Sequence, residues 1–153
     1  MIGTIARVRH RRVLVDGVDV FYRESVPERP DAPVLLLLHG FPSSSHQFRR
    51  LIDALGARFR IVAPDYPGFG YTGAPVGFEH SFDRLADVVE GFVEQLGLGR
   101  FVAYVFDFGA PVGFRVATRQ PERFAGLVVQ NANAYDAGLT DGARAFIALR
   151  PDD

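Results

Sequence analysis

Apolar and polar positions follow one rhythm at the start of the chain and another after it. Arg12-Val13-Leu14-Val15 and Val18-Asp19-Val20-Phe21-Tyr22 are β-rich runs on either side of Asp16-Gly17. Both central residues tolerate positive φ, so the spacing predicts a tight hairpin. A Pro-rich link, Pro27 to Pro33, ends this pattern. Val34 to Leu38 is apolar at every position, as in a parallel strand covered on both faces. Phe48, Leu51, Ile52 and Leu55 then recur at helical spacing, with Ser43, Ser44 and Ser45 as available N-caps and Gly56 as a stop. Phe59 to Ala63 reads as the next strand.

A Gly- and Pro-rich loop runs from Pro64 to Gly77. Ser81 can cap a helix whose inner face is Phe82, Leu85, Ala86, Val89, Phe92, Val93 and Leu96, and Gly97 and Gly99 end it. Phe101 to Phe106 reads as a strand, Ala110 to Arg119 as a helix with Pro111 in its first turn, and Leu127 to Gln130 as a strand. Leu139 to Leu149 has the pattern of a further helix. An antiparallel opening followed by strand–helix alternation predicts an α/β sheet with helices on its faces. Ligands on such sheets bind beyond the carboxyl ends of the strands. Three loops lie there: His39 to Ser45, Asp65 to Gly77 and Asp107 to Ala110.

Composition narrows the function. The 153 residues suit one domain, residues 1–153, with a substantial core. A net charge of −1 offers no surplus of cations for phosphates, so nucleic acid is not an expected partner. There is no Cys, which excludes disulfides, thiolate zinc sites and thiol nucleophiles. No apolar run approaches membrane-spanning length, and the Arg-rich start is not followed by a long apolar segment. No membrane association, no metal and no cofactor are expected, and a cytoplasmic location follows by default.

The residue that packing does not explain is Asp107. It follows the apolar run Phe101 to Phe106 and precedes Phe108-Gly109-Ala110-Pro111, where a strand gives way to a helix. Such a turn holds its central side chain out at the sheet edge. A carboxylate titrates at about 3.9, so it is ionised at neutral pH and attacks carbon without a base. The competing reading is a helix N-cap. Gly40 and Phe41 follow His39 at the end of another strand. The backbone N–H groups of Phe41 and Phe108 are the candidate oxyanion hole. His39, beside a Gly-Phe-Pro turn, reads as a structural hydrogen-bonding group more readily than as a base.

The remaining candidates carry less. Gly68, Gly70 and Gly73 match G-x-G-x-x-G, but that dinucleotide motif must open a helix directly after its strand. Here Ala74-Pro75-Val76-Gly77 intervenes, and Asp65 reads as the anchor of a structural turn. No two of His10, His46 and His80 have metal-ligand spacing. Asn131, Asn133 and Asp136 follow the last strand, where an acid partner for a His could sit.

Taken together, these motifs resemble the first half of an α/β-hydrolase. The Asp16-Gly17 hairpin, His39-Gly40-Phe41-Pro42, Asp65-Tyr66-Pro67-Gly68-Phe69-Gly70 and the turn around Asp107 occur in the order that family uses. The resemblance covers roughly Val13 to Tyr135. An Asp at the nucleophile elbow resembles the epoxide hydrolase and haloalkane dehalogenase branch. The resemblance implies a three-layer sandwich with a mostly parallel sheet, Asp107 as nucleophile, and oxyanion donors at Phe41 and Phe108. It also implies a His, an acid, a lid and further strands, all expected beyond residue 153, so this chain alone is expected to stall as a covalent ester.

Departures from the family pattern shape the expected substrate. Val105 stands where the elbow usually has a small residue, as it does in the dehalogenases. Dehalogenases grip the halide with a Trp after the nucleophile and often an Asn after His-Gly. Phe108 and Phe41 occupy those positions, and neither side chain can donate a hydrogen bond. The expected reaction is therefore that of an epoxide hydrolase on a small apolar substrate. The alternatives are a haloalkane dehalogenase, a non-catalytic relative acting by binding, and a nucleotide-dependent oxidoreductase using Gly68, Gly70 and Gly73.

Overall fold

A computed structural model describes residues 7–149. Strands β1 (Val8–Val15) and β2 (Val18–Ser25) form the expected hairpin. Asp16 and Gly17 at its tip have φ of 46° and 84°, the left-handed pair that such a turn requires. Strands β3 (Val34–Leu38), β4 (Arg60–Pro64), β5 (Phe101–Phe106) and β6 (Phe124–Gln130) complete one sheet in the order β1-β2-β4-β3-β5-β6. The β1/β2 and β2/β4 pairs are antiparallel; β3/β4, β3/β5 and β5/β6 are parallel.

Helices cover both faces, and the alternation of side chains along β3 shows why. Leu36 and Leu38 enter the core beneath α2 (Phe82–Gln95) and α3 (Gly109–Arg119), with Phe92, Val93, Val112 and Val116. Leu37 points the other way and packs with Phe48 and Ile52 around α1 (Arg49–Leu55). A strand between two apolar layers must be apolar at each position, which is the pattern of Val34 to Leu38. Ser81 caps α2, its Oγ accepting from Arg84 N at 3.2 Å. Ser44 caps the short 3-10 turn ahead of α1.

Some boundaries differ from the sequence reading. Helix α3 starts at Gly109, one residue early, because Ala110 N already donates to the Asp107 carbonyl at 2.9 Å. Strand β6 starts at Phe124 rather than Leu127, since Phe124 and Gly126 pair with Phe101 and Val102. It lies at the sheet's edge, and Leu127, Val128 and Val129 stay 40–49% exposed despite their apolar character. The last helix, α4 (Asp141–Ile147), is shorter than the predicted segment, starts on a Thr140 cap and buries none of its residues. Among the described residues no helix is long and apolar enough to cross a membrane.

The junction of β3, β5 and α3 is crowded. A Cβ on Gly109 would lie 2.1 Å from the Leu38 carbonyl oxygen, and one on Gly113 would lie 2.5 Å from Val105 Cγ1. A Cβ on Gly40 would lie 2.6 Å from that of Asp107. The need for glycine at position 40 is thus steric, set by the close approach of Asp107. Gly109→Ala is expected to lower stability by about 3 kcal/mol, since backbone cannot yield as a side chain does. Urea unfolding measures this against Gly142→Ala, where a Cβ meets nothing within 4 Å and no loss is expected.

Candidate active site

Asp107 sits between β5 and α3 with φ of 50°, an uncommon conformation for a residue with a Cβ. The turn directs its side chain toward the end of β3. There Oδ1 accepts two backbone hydrogen bonds, from Phe108 N at 2.7 Å and from Phe41 N at 2.8 Å. Helix α3 has no side-chain cap, so Asp107 does not play the N-cap role that competed with the chemical reading. Oδ2 has no hydrogen-bond partner among the described residues.

The residues beneath the carboxylate are held by backbone. His39 is fully buried; its Nδ1 lies 3.0 Å from the Gly40 carbonyl, and its Nε2 lies 3.3 Å from Tyr66 N. A neutral ring protonated on Nδ1 satisfies both contacts, donating to the carbonyl and accepting from the amide. Burial depresses the His39 pKa below its usual 6.5, which keeps that ring neutral. With both nitrogens engaged, His39 braces the turn. The Tyr66 hydroxyl is buried and without a partner among the described residues. Burial first, and the negative charge of Asp107 second, push its pKa well above 10.0.

Asp65 is likewise buried and accepts from Ser45 N at 2.7 Å and Tyr71 N at 2.9 Å. The glycine-rich loop wraps this carboxylate: a Cβ on Gly70 would fall 2.0 Å from Asp65 Oδ2. No helix opens at Gly68, Gly70 or Gly73, and α2 begins only at Phe82. The loop therefore offers no helix N-terminus to a dinucleotide phosphate. Among the described residues no three His, Asp or Glu side chains gather as a metal site would require.

Asp107 opens into a cavity of 420 Å³. One wall is Phe41, Phe82, Phe108, Pro111 and Arg115; the other comes from residues 133–147, including Asn133, Tyr135, Asp136, Leu139, Phe146 and Ile147. Phe108 packs against Phe41 and Phe82 with ring centroids 5.3 and 5.0 Å away, and Phe41 also meets Phe146 at 5.8 Å. A second cavity of 520 Å³ lies across this aromatic wall, reaching Phe69, His80 and Leu85. His80 lines only the second cavity, and His10 and His46 line neither.

Residues 33–153 match the family model described as the alpha/beta hydrolase fold. The chain belongs to that family. An uncharacterized hydrolase of Saccharomyces cerevisiae is 47% identical over 141 residues, which is 92% of this chain and 48% of that protein. Haloalkane dehalogenase 2 of Mycobacterium tuberculosis is 43% identical over 99 residues, covering 65% of this chain and 35% of that protein. The crystal structure of haloalkane dehalogenase DbeA from Bradyrhizobium elkani superposes with a TM-score of 0.76 at 29% identity, over 82% of this chain and 42% of that one. Beyond the α/β-hydrolase family itself, the chain is thus similar to haloalkane dehalogenases in both sequence and fold. The chain spans about half the length of the yeast relative and less of the other two.

Within this α/β-hydrolase the structure brings together Asp107, Phe41 and Phe108 through the two backbone hydrogen bonds to Oδ1. It also brings Asn133 and Asp136 to the same cavity, and it leaves Asn131 off the cavity wall. Sequence reasoning missed Arg115. Its signal was spacing: Asp107, Pro111 and Arg115 are four residues apart, which stacks Pro111 and Arg115 on one helix face.

The buried His39 carries a pH signature. Its folded pKa lies below the unfolded value, so the unfolded chain binds more protons as pH falls. The stabilising effect of a neutral His39 is complete above about pH 6.5 and declines below it. Proton NMR is expected to show His39 titrating below 6.5, with urea midpoints falling over the same acid range. A His39 titration at or above 6.5 contradicts the buried neutral ring.

Proposed function

We propose that Asp107 is the nucleophile of a hydrolase that works through a covalent alkyl-enzyme ester, with a small apolar epoxide as substrate. The observation that supports this most is the pair of N–H groups on one carboxylate oxygen, at 2.7 and 2.8 Å. With Oδ1 engaged, Oδ2 is the oxygen left to attack. Oδ2 bonds to a ring carbon, the ring C–O bond breaks with its electrons on oxygen, and the alkoxide takes a proton from an acid or from solvent.

In the resulting ester, Oδ1 is the carbonyl oxygen and already lies between two donors. When water adds to the carbonyl carbon, negative charge develops on Oδ1, and the two N–H groups become an oxyanion hole without rearrangement. One such donor is worth roughly 3 kcal/mol of barrier in enzymes of this kind. Release of a diol then restores the carboxylate. Among the described residues no histidine lines the Asp107 cavity, so no base for the water step is assigned and the ester is expected to accumulate.

A second reading, a haloalkane substrate, is favoured by the names of the relatives. The same oxygen attacks, the carbon–halogen bond breaks, and halide leaves. Against it stand the side chains of Phe41 and Phe108, which line the cavity and have no donor for a departing halide.

Mass spectrometry separates the two. Incubation with 1,2-epoxyhexane is expected to add the whole mass of the epoxide at Asp107, whereas 1-bromohexane would add only the hexyl group as bromide leaves. Asp107→Asn is expected to abolish labelling by either. Labelling that persists in that variant, or none in the parent with either reagent, refutes the nucleophile. Labelling by the bromide alone selects the second reading.

A further inference from the structure

We propose that Arg115 determines specificity by receiving an anionic group, a carboxylate above all, carried on the apolar chain of the substrate. The inference rests on the reading of Asp107 as the reacting group and names the substrate class of that site. Among the described residues, Arg115 is the one Lys or Arg that lines either cavity, and it lines both. Its Nε donates to Asp83 Oδ1 at 2.8 Å and its Nη1 to the Pro111 carbonyl at 3.0 Å. A guanidinium has five N–H donors, and the other three have no partner among the described residues. They form the fork that suits a carboxylate.

The existing partner is weakly held. Asp83 also takes Arg119 Nη2 at 3.3 Å, and its side chain is 65% exposed, so solvent screens the pair. A carboxylate entering the cavity meets a cation that is positioned but not saturated. The Pro111 contact fixes the head on the first turn of α3, and the Phe82 ring lies 5.7 Å beneath it. Phe82 in turn meets Phe108, so an aromatic track joins the cation to the residue beside Asp107. Asp136 is the other carboxylate that lines the Asp107 cavity, and it belongs to the 133–147 segment rather than to α3.

The substrate class is therefore an ω-functional acid whose apolar chain joins the reacting carbon near Asp107 to an anion at Arg115.

The test compares the rates at which 7,8-epoxyoctanoate and neutral 1,2-epoxyoctane label Asp107 in this chain. The acid is expected to react about tenfold faster, as one charge-assisted contact allows. Arg115→Gln is expected to abolish that ratio and Arg115→Lys to keep part of it. Calorimetry with octanoate, which needs no reaction at Asp107, is expected to show binding that Arg115→Gln removes. Equal rates for the two epoxides, a ratio that survives Arg115→Gln, or no octanoate binding each overturn the assignment. Octanoate binding with no labelling by either epoxide would instead count against the nucleophile and leave Arg115 standing.

Discussion

Two amides from different strand ends converge on a single carboxylate oxygen, and the surrounding structure keeps them there. Strands β3 and β5 are neighbours in register, Leu38 beside Val105, so their following turns emerge side by side. That places Phe41 N and Phe108 N within 2.8 Å of Asp107 Oδ1. The convergence tolerates no extra atom: Gly40 and Gly109 stand where a Cβ would strike Asp107 or the Leu38 carbonyl. A left-handed Asp costs about 1–3 kcal/mol, and the burial of Val105, Ala110 and Val112 around it offsets that strain.

Below the convergence the polar groups are mostly satisfied by main chain. His39 spans Gly40 and Tyr66, Asp65 gathers Ser45 and Tyr71, and Thr72 Oγ1 accepts from Phe21 N. These contacts tie the glycine-rich loop to β2 and to the turn after β3. A buried carboxylate or ring is expensive to leave unpaired, so each fixes a loop more firmly than its net energy suggests. On the outer face Arg119 reaches Asp83, Asp87 and Glu90 and joins α3 to α2, with Asp83 largely solvated and Glu90 mostly buried.

The architecture was legible where local chemistry and burial agree. Asp16-Gly17 announced a hairpin because Asp-Gly is one of the few pairs that suit two positive φ angles. Val34 to Leu38 announced a strand with both faces covered. Asp107 stood out because a charge follows an apolar strand without a packing reason. The far wall of the cavity was not legible, because Tyr135, Leu139 and Phe146 read as ordinary loop and helix residues until the chain folds back over Phe108. Arg115 was obscured for the same reason. A cation on a surface helix has a bland explanation, and only the third dimension sets it beside Phe82 and the Asp107 cavity.

Both groups that hold Oδ1 belong to the main chain, although they carry the names of two phenylalanines. No substitution at position 41 or 108, short of proline, deletes either donor. Evolution can therefore redraw the inner walls of this site, exchanging benzyl groups for indoles, amides or smaller surfaces, while the clamp on the carboxylate persists. Under the proposed chemistry, preference among electrophiles becomes a trait that drifts on its own, decoupled from the groups that bear the charge.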